Sequence, residues 1–214
     1  NDRPLGLTFG DIWFNAPPQP AVRGVAEGEA LAQLLGATAT PLPWNMAFDG
    51  KAVVTRGDGG FAEVAMPPGA PRLTLLSPTP ARLKSLYKVW DRELARLRNK
   101  ESDLPGPAAP VPRDMASLDL KALAAKVTAT DSSAANGSSI AMLLEHRGAS
   151  VLLGADAFPT VVVLALQELA RQRRLPGGLI VDAIKLSHHG SRANVTNDLL
   201  KAIHADHYIF STSN

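Results

Sequence analysis

The sequence contains two segments that decide how the chain folds, Leu152-Leu153-Gly154-Ala155-Asp156-Ala157 and Ile184-Lys185-Leu186-Ser187-His188-His189-Gly190-Ser191. In each of them an apolar stretch of strand length runs into small and polar residues, which is typical of a buried strand that ends in a turn. A sheet holds side chains at its strand ends in fixed positions, so a carboxylate or an imidazole there is well placed to bind a metal ion. The same two segments are therefore the candidate functional site.

The sequence around these segments alternates between strand and helix patterns. Working outward, we predict strands at residues 139–145, 150–153, 179–186 and 207–211, and helices at residues 158–174 and 196–203. Strands that first cluster and then alternate with helices indicate an α/β (α+β) fold with a largely buried sheet.

The N-terminal half has weaker patterns. We predict strands at residues 11–15, 51–55, 61–66 and 72–76, and helices at residues 27–35 and 80–97. The second helix is the clearest, because its apolar residues, including Leu83, Leu86 and Trp90, fall on one helical face, and Thr79 can cap it. Residues 99–137 are rich first in proline and then in small polar residues, which predicts a mobile surface insertion within a single domain that spans residues 1–214.

Composition excludes several classes of site. The 214 residues include no cysteine, which rules out a disulfide framework, a thiolate metal site and a cysteine nucleophile. The net charge is only +2, so nucleic acid is a weakly supported partner. No apolar run reaches the length of a membrane span, and no signal peptide is visible, so we expect a cytoplasmic protein.

The chemistry of the two segments leaves alternatives open. Asp156 either binds a metal ion or caps the following helix. Adjacent histidines on an extended chain point in opposite directions, so one of His188 and His189 can face a metal while the other faces substrate. Gly190 would let the backbone approach a ligand, and Ser191 would add a hydroxyl donor. The alternative is a surface turn with incidental histidines.

Taken together, the two segments resemble the metallo-β-lactamase fold hydrolases, in the branch that includes the soluble domain of ComEC-type competence proteins. In that branch one strand ends in T-G-D-A and a later strand ends in an H-H-G-S element. Further matching segments are Asp11-Ile12-Trp13-Phe14-Asn15, Leu73-Thr74-Leu75-Leu76-Ser77-Pro78-Thr79 and Asn136-Gly137-Ser138-Ser139-Ile140.

The resemblance implies an αββα sandwich, here incomplete at both ends, with a dinuclear site for two zinc ions or for manganese. Asp156 would be the bridging ligand and a catalytic residue, and His189 a terminal metal ligand. His188 would be catalytic and contact the scissile group, next to Gly190 and Ser191 in the substrate site. The family's main H-x-H-x-D-H motif should lie upstream of Asp11 and is absent from the sequence, so we expect these 214 residues alone to be inactive.

The function that the resemblance implies is metal-dependent hydrolysis of a phosphoester or similar bond in a small-molecule substrate. Two alternatives remain. Ala155 replaces the usual glycine before the aspartate, and Phe158 stands where related sequences often have histidine, which favours a non-catalytic interaction module. A DNA-processing nuclease domain of the competence type is the other, and the small net charge argues mildly against it.

Overall fold

A computed structural model of the chain describes residues 9–15, 31, 35, 42–57, 59–98 and 132–211. In this part of the chain the protein has a mixed α+β fold, built on one open six-stranded sheet with four helices whose bounds are defined. The α/β (α+β) class predicted from the sequence is confirmed at this level. All six strands belong to the same sheet, so the second sheet of a sandwich stays a prediction.

The strands lie side by side in the order in which they occur in the chain. They are β1 (Ala62–Val64), β2 (Arg72–Ser77), β3 (Ala141–His146), β4 (Ala149–Leu153), β5 (Leu179–Lys185) and β6 (Ile203–Ile209). The helices are α1 (Pro80–Arg98), α2 (Ala134–Gly137), α3 (Pro159–Gln172) and α4 (Asn197–Ala202). β1 to β4 pair antiparallel, whereas β4, β5 and β6 pair parallel.

The parallel half of the sheet follows directly from the alternating sequence pattern. α3 connects β4 to β5 and α4 connects β5 to β6, because parallel neighbours need a crossover and cannot be joined by a tight turn. The predicted apolar face of α3 is confirmed, since Val162, Leu166 and Leu169 are almost completely buried in the same core as Leu152 and Ile184. Burying each such side chain stabilises the fold by about 2 kcal/mol.

The helix predicted at residues 80–97 is confirmed as α1, and it carries its own small core. Leu83, Leu86 and Trp90 are buried together on the predicted face. The backbone N–H of Arg82 donates to the Thr79 hydroxyl at 3.3 Å, which caps the first turn as expected. No helix with defined bounds combines the length and the apolar character that crossing a membrane requires.

Two sets of side-chain hydrogen bonds connect the central strands to neighbouring elements. The Arg173 guanidinium forms two hydrogen bonds with Glu145, at 2.9 and 2.8 Å, and so joins the end of α3 to β3. The Ser150 hydroxyl and backbone N–H both donate to Asp182, which links β4 to β5 and holds the pKa of Asp182 below its ordinary value.

Two strands predicted in the N-terminal half are wrong. Residues 11–15 form only an isolated bridge, between Ile12 and Trp44, and residues 51–55 join no strand ladder. The reason is a buried amide: the Asn15 side chain accepts from the Val53 N–H at 2.8 Å and donates to the Val53 carbonyl at 2.9 Å. These bonds satisfy the backbone of Val53 in place of a neighbouring strand.

Other predictions differ in their bounds or lie outside the described part. The last strand begins at Ile203 instead of residue 207, because the chain enters the sheet immediately after α4. Most of the predicted helix at residues 27–35 lies outside the described residues, although Leu31 and Leu35 are helical. Residues 99–131 of the predicted insertion also lie outside them, whereas residues 134–137 form α2.

We expect Asn15→Ala to lower the free energy of unfolding by about 3 kcal/mol, because it leaves the buried N–H and carbonyl of Val53 without partners. Urea denaturation followed by circular dichroism would measure the change. Asn197→Ala, at the exposed first residue of α4, is the control and should change stability by less than about 0.5 kcal/mol. Equal effects of the two substitutions would contradict the role of Asn15.

Candidate active site

Two turns meet at one edge of the sheet, and they carry the residues singled out from the sequence. β4 and β5 are parallel neighbours in which Leu153 lies beside Lys185, so their carboxyl ends share this edge. The Gly154 N–H donates to the Lys185 carbonyl at 3.0 Å, and the His188 N–H donates to the Ala155 carbonyl at 2.8 Å. The backbone itself therefore brings the segment of Asp156 against the segment of the two histidines.

The approach of the two turns depends on the missing side chain of Gly154. A Cβ atom at this position would lie 2.5 Å from the Ser187 hydroxyl oxygen and 2.9 Å from the Lys185 carbonyl oxygen. Both distances are shorter than real Cβ contacts allow, and the second involves rigid backbone. The Ser187 hydroxyl instead donates to the Gly154 carbonyl at 3.2 Å and closes the contact.

The backbone of both turns is held in the left-handed region. Ala155 has φ 46°, His188 has φ 47° and His189 has φ 58°, and Gly190 continues the turn at φ 84°. The expectation that the histidines lie on an extended chain is therefore wrong, because the chain turns tightly at residues 187–190. A left-handed conformation costs a non-glycine residue about 1–2 kcal/mol, and such strain concentrates at functional sites.

Asp156 does not cap the following helix. The N-cap residue of α3 is Phe158, which forms no side-chain capping bond, so the capping alternative is excluded. Asp156 is half-buried, and its backbone carbonyl accepts a hydrogen bond from the Asn194 amide at 3.5 Å. Within the described part of the chain its carboxylate has neither a hydrogen bond nor an ion pair, which leaves both oxygens available to a ligand.

The ring of His189 is oriented by Ser211. Its Nδ1 atom lies 2.7 Å from the Ser211 carbonyl oxygen and 3.0 Å from the Ser211 hydroxyl. A carbonyl oxygen can only accept, so Nδ1 carries the proton and the lone pair is on Nε2. Histidines that ligate metals through Nε2 are commonly oriented by such a bond.

Ser211 was not identified from the sequence. It follows β6, which runs parallel to β5, so the chain after β6 reaches the same edge as the turn after β5. A parallel pairing of β5 and β6, had it been predicted, would have indicated that Ser211 lies near His189. The contact itself could not be predicted from residue type, because the acceptor is a backbone carbonyl.

His188 has the opposite arrangement. The Asn136 amide nitrogen lies 3.4 Å from its Nδ1 atom. Because an amide nitrogen can only donate, this contact makes Nδ1 the acceptor and places the proton on Nε2. The two imidazole rings lie 6.1 Å apart at 67°, and their different partners favour opposite neutral tautomers, Nε2–H for His188 and Nδ1–H for His189.

Gly190 and Ser191 have local structural roles. A Cβ on Gly190 would lie 2.5 Å from the ring of Phe210, so the glycine makes room for this aromatic side chain. The Ser191 N–H donates to the His188 carbonyl at 2.8 Å and its hydroxyl accepts from the Ala193 N–H at 3.3 Å. Their predicted contacts with substrate stay predictions.

The described residues do not assemble a complete metal site. In the ranges for which the structure gives positions, no group of three or more histidine, aspartate or glutamate side chains could hold an ion. His204, Asp206 and His207 lie along β6 and are exposed, and strand geometry turns His207 to the face opposite the other two. No protein-family model, no curated protein and no solved structure matches this chain.

We expect Gly154→Ala to destabilise the protein by about 2 kcal/mol, since the new methyl group must push two backbone segments apart. Gly177→Ala is the matched control, because nothing lies within 4 Å of a Cβ at that position. Urea denaturation of both variants would measure the difference. Equal stability of the two variants would show that the turns separate without cost.

We also expect the neutral forms of the two adjacent histidines to be opposite tautomers, Nε2–H for His188 and Nδ1–H for His189. Long-range ¹H–¹⁵N correlation spectra of the imidazole nitrogens distinguish these forms. Asn136→Ala should alter the nitrogen shifts of His188 and leave those of His189 unchanged. Two Nε2–H rings in the unaltered protein would contradict the orientation of His189.

Proposed function

We propose that this protein is a metal-dependent hydrolase of the metallo-β-lactamase type that acts on a phosphoester or similar bond. The observation that supports it is the pair formed by Asp156 and His189. Parallel neighbouring strands bring both to one sheet edge, and the fold uses neither the Asp156 carboxylate nor the His189 Nε2 atom among the described residues. The αββα sandwich and the dinuclear site belong to the same proposal.

The donor atoms present suit the proposed metal. A carboxylate oxygen and an imidazole Nε2 are ligands that zinc accepts, and manganese also binds both. Asp156 would bridge the two ions and His189 would hold one of them, while the resemblance implies further histidine ligands upstream of Asp11. When bound, the ions supply Lewis acidity and a water molecule of lowered pKa.

The residues of the chain itself would orient the substrate. The Nε2–H of His188 would donate to an oxygen of the scissile group and stabilise the charge that develops there, because the Asn136 contact fixes the proton on that nitrogen. The Ser211 carbonyl would hold the His189 ring in the orientation that its ligand role requires. The backbone hydrogen bonds of the turn, from His188 to Ala155 and from Ser191 to His188, would keep both imidazoles in place before substrate arrives.

One observation favours the alternative of a non-catalytic interaction module. Phe158 stands where related sequences often have histidine, and its ring is buried against Gly137. An aromatic side chain in that place removes one polar group from the neighbourhood of Asp156. The module would then use the same edge of the sheet to bind a partner, without metal.

The experiment is metal analysis and turnover with the complete gene product. We expect about two ions per chain and hydrolysis of bis-p-nitrophenyl phosphate, and both Asp156→Ala and His189→Ala should lower turnover at least about 100-fold by removing a ligand. The 214 residues alone should bind less than one ion. DNA offered as substrate in the same assay tests the nuclease alternative.

His204→Ala is the control, because this imidazole is exposed on β6 and should leave turnover unchanged. Full turnover after Asp156→Ala would refute the bridging role. A complete product that binds no metal would refute the hydrolase and support the interaction module.

A further inference from the structure

We propose that Arg82 binds an anionic oxygen of the ligand at this site and so selects a phosphate or phosphodiester over a neutral ester. This inference rests on the proposed function, because it takes the sheet edge that carries Asp156 and His188 as the site. It adds Arg82 as a binding residue and a negative charge on the substrate, neither of which follows from the proposed metal ligands Asp156 and His189. Arg82 lies in the first turn of α1, far from both segments in the sequence.

Arg82 stacks on the aromatic ring of Phe158. Its guanidinium carbon lies over the ring of Phe158, 4.7 Å from the centroid. Phe158 follows Asp156 by two residues and ends the same turn, before α3 begins. The Phe158 ring therefore links the guanidinium to the turn that carries Asp156.

Further contacts connect Arg82 to the histidine turn. The edge of the Phe158 ring rests on Gly137, where an added Cβ would lie 2.8 Å from the ring. The neighbour of this glycine is Asn136, whose amide contacts His188. α1 and α2 pack against each other, so Arg82, Phe158, Asn136 and His188 form one contiguous group. Among the side chains in this group, only that of Arg82 carries a permanent positive charge.

Within the described part of the chain Arg82 has no carboxylate partner and no acceptor for its side-chain N–H groups, and the first turn of α1 contains no acidic residue. A cation in the first turn of a helix opposes the helix dipole, so this position costs stability that no ion pair in the described part offsets. No described carboxylate therefore competes with an anionic ligand for this guanidinium.

The donor geometry of Arg82 points to the class of ligand. The contact with Phe158 engages the face of the guanidinium, and no acceptor among the described residues takes its N–H donors. These donors form a planar fork that matches two oxygens of a phosphate. A neutral carboxylic ester offers no such pair of charged oxygens, so Arg82 would favour a phosphate or a phosphodiester anion.

The experiment measures binding of inorganic phosphate to the metal-free chain by ¹H–¹⁵N spectroscopy, with the Arg82 Nε–H signal as the reporter. Arg82→Gln should raise the phosphate Kd at least about tenfold, the loss expected for one charge-assisted hydrogen-bond pair. Arg82→Lys keeps the charge without the fork and should give an intermediate Kd. Arg92→Gln removes an exposed guanidinium from the same helix and should leave the Kd within about twofold.

Thermal melts confirm that each variant is folded, and Arg82→Lys provides the comparison if Arg82→Gln unfolds. Absence of phosphate binding in the unaltered chain would overturn the proposal, as would equal losses for Arg82→Gln and Arg92→Gln.

A second assay distinguishes failure of this inference from failure of the hydrolase proposal. If the complete gene product hydrolyses nothing while phosphate binding still requires Arg82, the anion site stands and the hydrolase fails. If the complete product is active, Arg82→Gln should lower kcat/KM for bis-p-nitrophenyl phosphate and not for p-nitrophenyl acetate; equal losses for both esters would overturn the proposal.

Discussion

The turns after β4 and β5 touch through their backbones, and the position of every candidate site residue depends on this contact. Two hydrogen bonds join the turns, from Gly154 to Lys185 and from His188 to Ala155. They form only because Gly154 lacks a side chain. Asp156 and the histidine pair are therefore placed by main-chain geometry, which is more rigid than any contact between their own side chains.

The core beneath the two turns explains why backbone strain is tolerated here. Ala155, His188 and His189 adopt backbone conformations that their side chains disfavour. The core beneath them, in which Leu152 and Ile184 are completely buried, supplies far more stabilisation than these few residues cost. Burial of β4 and β5 thus holds these strands in place, so that the turns after them start from fixed positions.

The sequence predicted the strands and helices of the C-terminal half and the two turns after β4 and β5, because these depend on local patterns. Apolar runs, the helical face of Val162, Leu166 and Leu169, and polar residues at strand ends are all visible without a structure. The bonds of Asn15 to Val53 were invisible, since they join distant segments and replace a strand pairing that the pattern of residues 51–55 suggested. The orientation of His189 was equally hidden, because its partner is a backbone carbonyl.

Because β4 pairs antiparallel with β3 and parallel with β5, its two ends are constrained differently. One end belongs to a hairpin, and the other leads into the turn of Asp156. The hairpin between β3 and β4 turns at Arg147 and Gly148, at the end of β4 opposite Asp156, and nothing lies within 4 Å of a Cβ at Gly148. Chain inserted at this turn would extend into solvent and leave the contact of the other end intact. A fluorophore or an affinity peptide could therefore be placed there, so that the protein is observed or immobilised with its histidine turn facing away from the attachment.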